Sequence, residues 1–391
     1  MGGRFLIWLF AFTLAGIAAV AGLNIAVDPT SYLTNAHLVS STVCTPGIRA
    51  DQRQSKTIAA KAFAPDALLV GTSQIGVGFA AGDPILRRTL GRTYNLGISG
   101  LGTSEMMQLL RDTVPATKVH RVIVGLSFGL MIDFDPRQSA FPREPGPPQL
   151  AWLWTLKRSV LSLNALFASA SAVSSSQNCA RPADALDGTT RYPGAGRPLK
   201  LRERHAQWAV TQTVPDAAAF RRAYRRNLAD MEDAVAHLCA RGITVDLALL
   251  PNHALRMEIW SNMVGDARMD QWKRDMTGMA DRFLRKGCAI SLWDFSYHNA
   301  VTTVDFDGPD AASPSFPYWE DSHFKMTVGH RILARMLLGS GEGFGVKLTP
   351  RSVDAQLARA ACARDSWRRS HPAVVAAMTR LVRGAAHQQR W

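Results

Sequence analysis

The chain has 391 residues, of which 47% are hydrophobic and 19% charged; that is enough apolar material for one large or two ordinary domains and excludes a disordered polymer. The net charge of +14 fits either plain solubility with a basic tail or contact with an anionic surface, lipid headgroups or an acidic polymer. Zinc-finger, helix-turn-helix and RNA-binding signatures are absent, so no nucleic-acid partner is expected.

From Phe5 to Val27 there is no charged residue, and the run includes Leu6, Ile7, Trp8, Leu9, Phe10, Phe12 and Leu14. That length suits a bilayer core, which needs roughly 20 apolar residues. Arg4 precedes it and Asp28-Pro29 close it. A positive flank keeps the amino terminus in the cytoplasm and predicts export of the rest. A signal peptide cleaved near Ala19-Val20-Ala21 is the alternative.

An extended polar stretch to about Asp51 leads to a short helical pattern over Gln54–Phe63. The apolar run from Ala67 to Gly71 then reads as a buried parallel strand. A second strand covers Thr93–Gly100, a helix Ser104–Val114 and a third strand Arg121–Ser127. Residues 135–212 break the rhythm. Pro136, Pro142, Pro145, Pro147 and Pro148 come first, then an apolar segment from Trp152 to Phe167, the serine-rich Ser169–Ser176 and a Gly/Pro stretch from Tyr192 to Pro198. This reads as an insertion with one or two helices and long loops, a lid, an interaction surface or a plain surface excursion.

Over Asp216–Arg241, Phe220, Tyr224, Leu228, Met231, Val235 and Leu238 recur at three and four residues, with Gly242 as the stop. Strands over Ile243–Leu250 and Ala289–Phe295 flank a helix that carries Trp272, Met276, Met279 and Phe283, and a last helix runs from Thr327 to Leu338. Strands that alternate with amphipathic helices predict an α/β fold with a parallel sheet. The expected organisation is therefore an anchor at 1–28, an α/β domain at 29–345 with the insertion, and a basic tail at 346–391. In the tail Val374, Val375, Met378, Leu381 and Val382 form one amphipathic face, suited to packing on the domain or to lipid. Cys44, Cys179, Cys239, Cys288 and Cys362 include no CxxC pair, which argues against a zinc site. No motif calls for a metal or cofactor. Export permits disulfides, and their pairing stays open.

Three short motifs carry the candidate chemistry. Ser73 follows the first strand in Gly71-Thr72-Ser73-Gln74, where an open α/β sheet presents ligand-binding groups. Asn95-Leu96-Gly97-Ile98-Ser99-Gly100 ends the second strand, and Asp321-Ser322-His323 precedes the last helix. A serine is a weak nucleophile until a histidine takes its proton, and a carboxylate orients that histidine. His323 and Asp321 supply both roles from one loop. Each residue also has an ordinary alternative. Ser73 suits a turn or helix cap, Asp321 a helix cap, and His323 a hydrogen-bonded surface position. His253 and Glu258 follow the fourth strand near the same edge. Tyr318, Trp319 and Trp293 offer stacking faces for sugar rings or simple core packing.

These motifs, in this order, resemble the SGNH (GDSL-like) hydrolase superfamily, and in particular its membrane-anchored, exported members related to polysaccharide acylation. Asp28-Pro29 after the apolar run and Lys56 before the first strand are similar to those members as well. The resemblance implies a three-layer α/β sandwich of SGNH/flavodoxin type behind an N-terminal transmembrane helix, placed in a bacterial inner membrane with the catalytic domain in the periplasm. It implies a triad of Ser73, His323 and Asp321. The oxyanion hole would be made by the backbone N–H groups of Ser73 and Gly100, with help from Asn95. It implies an ester or cell-surface polysaccharide substrate, with a membrane-bound acyltransferase or polysaccharide synthase complex as partner. Two departures stand out. The third block normally supplies an asparagine to the oxyanion hole, and here Ser127 stands in its place. The last block often spaces acid and histidine by two residues, whereas Asp321 and His323 are separated by one. They motivate the competing expectation of a non-catalytic periplasmic scaffold or binding subunit.

Overall fold

The computed structural model describes residues 2–27, 52–131, 157, 160–174, 187–190, 217–306, 308–341 and 343–388. They fall into two units, one within 1–63 and 140–190 and the other within 64–139 and 191–391.

The larger unit is built on a six-stranded sheet of order β2-β1-β3-β4-β5-β6. Its strands are β1 (Ala67–Gly71), β2 (Thr93–Gly97), β3 (Arg121–Leu126), β4 (Thr244–Leu249), β5 (Ile290–Asp294) and β6 (Val346–Lys347). The first five are parallel and β6 runs antiparallel to β5. The expected α/β class and parallel sheet are thus observed. Every residue of β1 is buried. Side chains alternate between faces along a strand, so a strand buried throughout is covered on both. One face belongs to a cluster in which Leu69, Ile123 and Ala248 meet Ile75, Phe79, Leu86, Val328 and Ile332. The chain passes from β1 to β2 on one side and then to β3 on the other. The order reverses between β1 and β3, and in open α/β sheets the crevice beyond that point takes ligands.

The helices that matter here are α1 (Gly2–Val27), α2 (Gln52–Phe63), α3 (Ser73–Gly78), α4 (Pro84–Thr89), α5 (Thr103–Thr113), α6 (Phe128–Met131), α7 (Leu163–Ser174), α8 (Ala217–Cys239), α9 (Ala254–Val264), α10 (Asp266–Arg285), α11 (Met326–Leu338), α12 (Val353–Ser370) and α13 (Pro372–Gln388). Helix α3 packs on β1 and β2, α5 on β1, α8 on β4 and α10 on β5. A disulfide joins Cys239 at the end of α8 to Cys288 just before β5, 49 residues on. Closing a loop of that length restricts the unfolded chain and typically contributes about 2–4 kcal/mol. Cys362 on α12 is an exposed thiol, and Cys44 and Cys179 lie outside the described residues.

The C-terminal stretch expected as a tail contributes β6 and two helices to this unit. The face foreseen in the sequence lies against α9: Val382, Met378 and Leu381 meet Ile259, while Trp367, Val374 and Val375 meet Ala254 and Met257. Arg368 fastens the contact by donating to Glu258 (2.7 Å), Asp266 (2.7 Å) and Ser261 (2.8 Å).

In the smaller unit, the chargeless run forms α1, a helix of 26 residues whose span from Arg4 to Val27 is long and apolar enough to cross a membrane. The buried Asn24 amide donates to the Val160 carbonyl (2.9 Å) and accepts from the Ser169 hydroxyl (2.8 Å). The serine-rich stretch thus begins inside a helix, since α7 continues to Ser174. Lys56 on α2 is 2% exposed, and its ammonium donates to the Gly188 carbonyl (2.7 Å) and the Thr190 hydroxyl (2.8 Å). Asp28-Pro29 and residues 135–156 and 192–198 lie outside the described residues.

Candidate active site

At the carboxyl end of β1 the chain turns through Thr72, and Ser73 is the first residue of α3. Close backbone packing fixes that turn. A side chain at Gly97 would collide with the backbone of Gly76, and one at Gly329 with the Gly78 carbonyl. Helix α3 is thereby pressed between β2 and α11, and the Phe324 ring lies over Gly78 where a side chain would stand.

His323 comes from a hairpin closed by the Tyr318–Phe324 bridge. Trp319 N–H donates to the His323 carbonyl (2.8 Å) and Lys325 N–H to that of Pro317 (2.7 Å). The tip of the hairpin delivers the His323 ring to Ser73, with Nε2 2.6 Å from Oγ. The sequence places these residues 250 positions apart, so the expected nucleophile–base pair is brought together by the fold.

The acid on the other ring nitrogen is Glu320, not the expected Asp321. His323 Nδ1 is hydrogen-bonded to Glu320 Oε1. The same carboxylate accepts from Ser322 N–H (2.8 Å), His323 N–H (2.9 Å) and the Ser322 hydroxyl (3.1 Å). A fully buried acceptor-only group so surrounded aligns the imidazole strongly. With Nδ1–H donating to Glu320, Nε2 carries the lone pair and accepts the Ser73 hydroxyl proton, which is the tautomer a general base needs.

Asp321 points the other way. It pairs with Arg256 on α9: Nη2 donates to Oδ1 (3.1 Å) and Nε lies 3.0 Å from Oδ2, with both side chains only 4% exposed. Burial, reinforced by Glu320 next to it, pushes the Asp321 carboxyl up to about 7, against the pull of Arg256. The neighbouring carboxyls thus divide the work, one holding the histidine and the other the hairpin.

Asn95 also differs from expectation. Its amide hydrogens go to the carbonyls of Ile75 (2.9 Å) and Phe79 (2.8 Å), and its oxygen accepts from Gly97 N–H (2.9 Å). It is completely buried. Donors so committed hold α3 on β2 and have nothing left for an oxyanion. Gly100, at φ +70°, lies in the turn beyond β2, in the left-handed region that favours glycine. Ser127 is half-buried, one residue past β3. Ser73 N–H, as the first of its helix, has no acceptor within it.

Gln74, Asn252 and Arg256 escape sequence reading because their roles depend on distant partners. Gln74 Nε2 donates to the Ser322 carbonyl (2.7 Å) and to Asn252 Oδ1 (3.2 Å). It ties the start of α3, next to Ser73, to the hairpin tip and to the loop after β4. Glu320 did have a signal: the two-residue spacing between acid and histidine in the superfamily that the three motifs resemble, read backwards from His323, lands on it once glutamate is allowed for aspartate. His253 is an N-cap. Leu255 N–H donates to its Nδ1 (3.2 Å), leaving Nε2–H for the Val304 carbonyl (2.7 Å). Glu258 is held by Arg368. Tyr318 is buried in the core, and Trp293 lies under Arg335 (5.8 Å). Trp319 is half-buried beside the histidine, with the Lys325 ammonium 5.0 Å from its ring centre. Among the described residues no three His, Cys, Asp or Glu side chains are grouped to hold a metal ion. No protein-family model matches the chain, and no curated protein matches it.

Proposed function

We propose that the chain is an exported, membrane-anchored serine esterase or O-acyltransferase of SGNH (GDSL-like) type, acting on a cell-surface polysaccharide. The observation that carries this reading is the continuous relay from Ser73 Oγ through His323 to Glu320, set at the reversal point of a parallel sheet. Helices on the two faces of that sheet would be the outer layers of the sandwich. The long chargeless α1 supports anchorage in a bacterial inner membrane with the larger unit in the periplasm. The Cys239–Cys288 disulfide suits that oxidising compartment. The choice of a polysaccharide, and of a membrane acyltransferase or synthase as partner, rests on the resemblance of the three motifs.

In the acylation step Ser73 Oγ attacks the ester carbonyl while its proton passes to His323 Nε2. Glu320 stabilises the imidazolium that forms. The Ser73 N–H would meet the developing oxyanion, with Gly100 and Ser127, beyond the ends of the strands that flank β1, as the other candidate donors. His323 returns the proton to the departing alkoxide, leaving an acyl group on Ser73. Water or a sugar hydroxyl then attacks that ester, again deprotonated at Nε2, and the serine is restored.

The test is turnover of an acetyl ester, with and without an oligosaccharide acceptor, by the full-length protein and by Ser73→Ala. Turnover is expected to fall by roughly 10⁴–10⁶ in the variant with its circular dichroism unchanged. An equally active Ser73→Ala protein overturns the reading.

A further inference from the structure

Among the described residues, helix α7 presents an exposed apolar stripe. Leu163 and Phe167 are each 69% exposed and one turn apart. Ala170 continues the stripe along the exposed side, and Leu161 and Val173 flank it at 51% and 47%. The opposite side is small and buried, with Ala165 at 2% and Ser169 at 0%. Ser169 meets Asn24 of α1 through a buried hydrogen bond, and the Val160 carbonyl meets the same amide. Small residues with one polar link are how helices pack closely inside a bilayer, where apolar side chains give no preference for one another over lipid.

Among the described residues, contact with α1 is confined to one end of it. Residues 4–19 of α1 are exposed all round, whereas Val20, Asn24 and Val27, spaced by four and three, are covered or half-covered. Asn24 lies three residues from the end of α1, which places the crossing within about 5 Å of that end. If α1 spans the membrane with its amino terminus inside, this is the level of the outer headgroups. Helix α7 has 12 residues and no charge, too short to span and too apolar on its free side to remain in water.

We infer that α7 is a second membrane-inserting element. It lies across α1 at the outer interface, with the Leu163–Phe167 stripe among the lipid acyl chains. The occupant of the stripe is lipid, because α7 is fastened by Ser169 and Val160 to the outer end of α1, where the bilayer surface would lie. The exposed Lys157, shortly before α7, suits the headgroup layer. The inference rests on the anchored reading of α1. It does not depend on the chemistry at Ser73.

The test uses the full-length protein in phosphatidylcholine vesicles that contain a phospholipid with a diazirine in its acyl tail. After photolysis, adducts are mapped by peptide mass spectrometry. Adducts are expected on α1 and on Leu163 and Phe167 of α7, with none on α12. Replacing the exposed Phe167 by Asp should abolish the α7 adducts and leave those on α1. Adducts on α1 alone overturn the inference, because a second copy or another protein would then cover the stripe. Adducts on neither helix overturn it together with the anchored reading.

Discussion

The tip of β1 and the hairpin from Tyr318 to Phe324 meet where Ser73 bonds His323 and Gln74 bonds Ser322, yet they are built in opposite ways. The tip is shaped by what is missing. Glycines at 71, 78, 97 and 329 let their neighbours approach closely, and Ser73 is placed by main-chain geometry. The hairpin is shaped by what is added. Glu320 gathers two backbone N–H groups, a hydroxyl and an imidazole, Arg256 takes Asp321, and Gln74 grips Ser322. Ser73 is thus positioned by local packing, whereas His323 needs a set of long-range polar partners.

That contrast makes the two regions respond differently to substitution. Short of removing Ser73 itself, the largest effect is expected in the hairpin. Glu320→Gln leaves a carbonyl or an NH₂ facing Nδ1 and upsets the tautomer, and ester kcat should fall by roughly 10²–10⁴ with KM little changed. At the tip, Gly329→Val forces α11 away from the Gly78 carbonyl and shifts α3. A displacement near 1 Å costs about 10²-fold in rate, so kcat should drop by that order while the far-ultraviolet spectrum is kept. Gln74→Ala cuts the tie between the regions and should lower kcat by about tenfold. A loss in KM alone would mean that Gln74 serves the substrate and not the hairpin.

The smallest effect on rate belongs to Asp321→Asn, expected within about tenfold of the parent. Its signature is in stability. The folded Asp321 carboxyl is raised to about 7 from an ordinary 3.8, so the folded state holds an extra proton between those values. Its contribution is full below about pH 4 and is lost as pH rises through 7. Urea denaturation of the parent should show stability falling over that window, and the Asn variant should show a shallower slope. A slope unchanged by Asp321→Asn would contradict this assignment.

The strand-tip serine was legible because it depends on a contiguous signal, an apolar run that ends in small residues. The helix at Ala217–Cys239 was legible for the same kind of reason, an uninterrupted three-and-four spacing. What sequence could not rank were residues whose neighbours come from far away. Asp321 and Glu320 are adjacent and chemically similar, and Arg256, 65 residues earlier on α9, pairs with Asp321 while Glu320 faces His323. Asn95 has the polarity of an oxyanion donor, and only the approach of α3 to β2 reveals that its hydrogens are taken. The C-terminal amphipathic face was visible as a pattern, but its partner, α9, is set by tertiary packing and by Arg368.

The central claim is that Ser73 is activated by His323 held on Glu320. The most direct measurement is the rate at which a fluorophosphonate labels Ser73 in the parent, Glu320→Gln and Asp321→Asn proteins, with the adduct located by mass spectrometry. The account predicts labelling at Ser73 in the parent, slowed by roughly 10²–10⁴ in Glu320→Gln and by no more than about tenfold in Asp321→Asn. Slow labelling in Asp321→Asn beside normal labelling in Glu320→Gln, or no labelling of the folded parent, would contradict it.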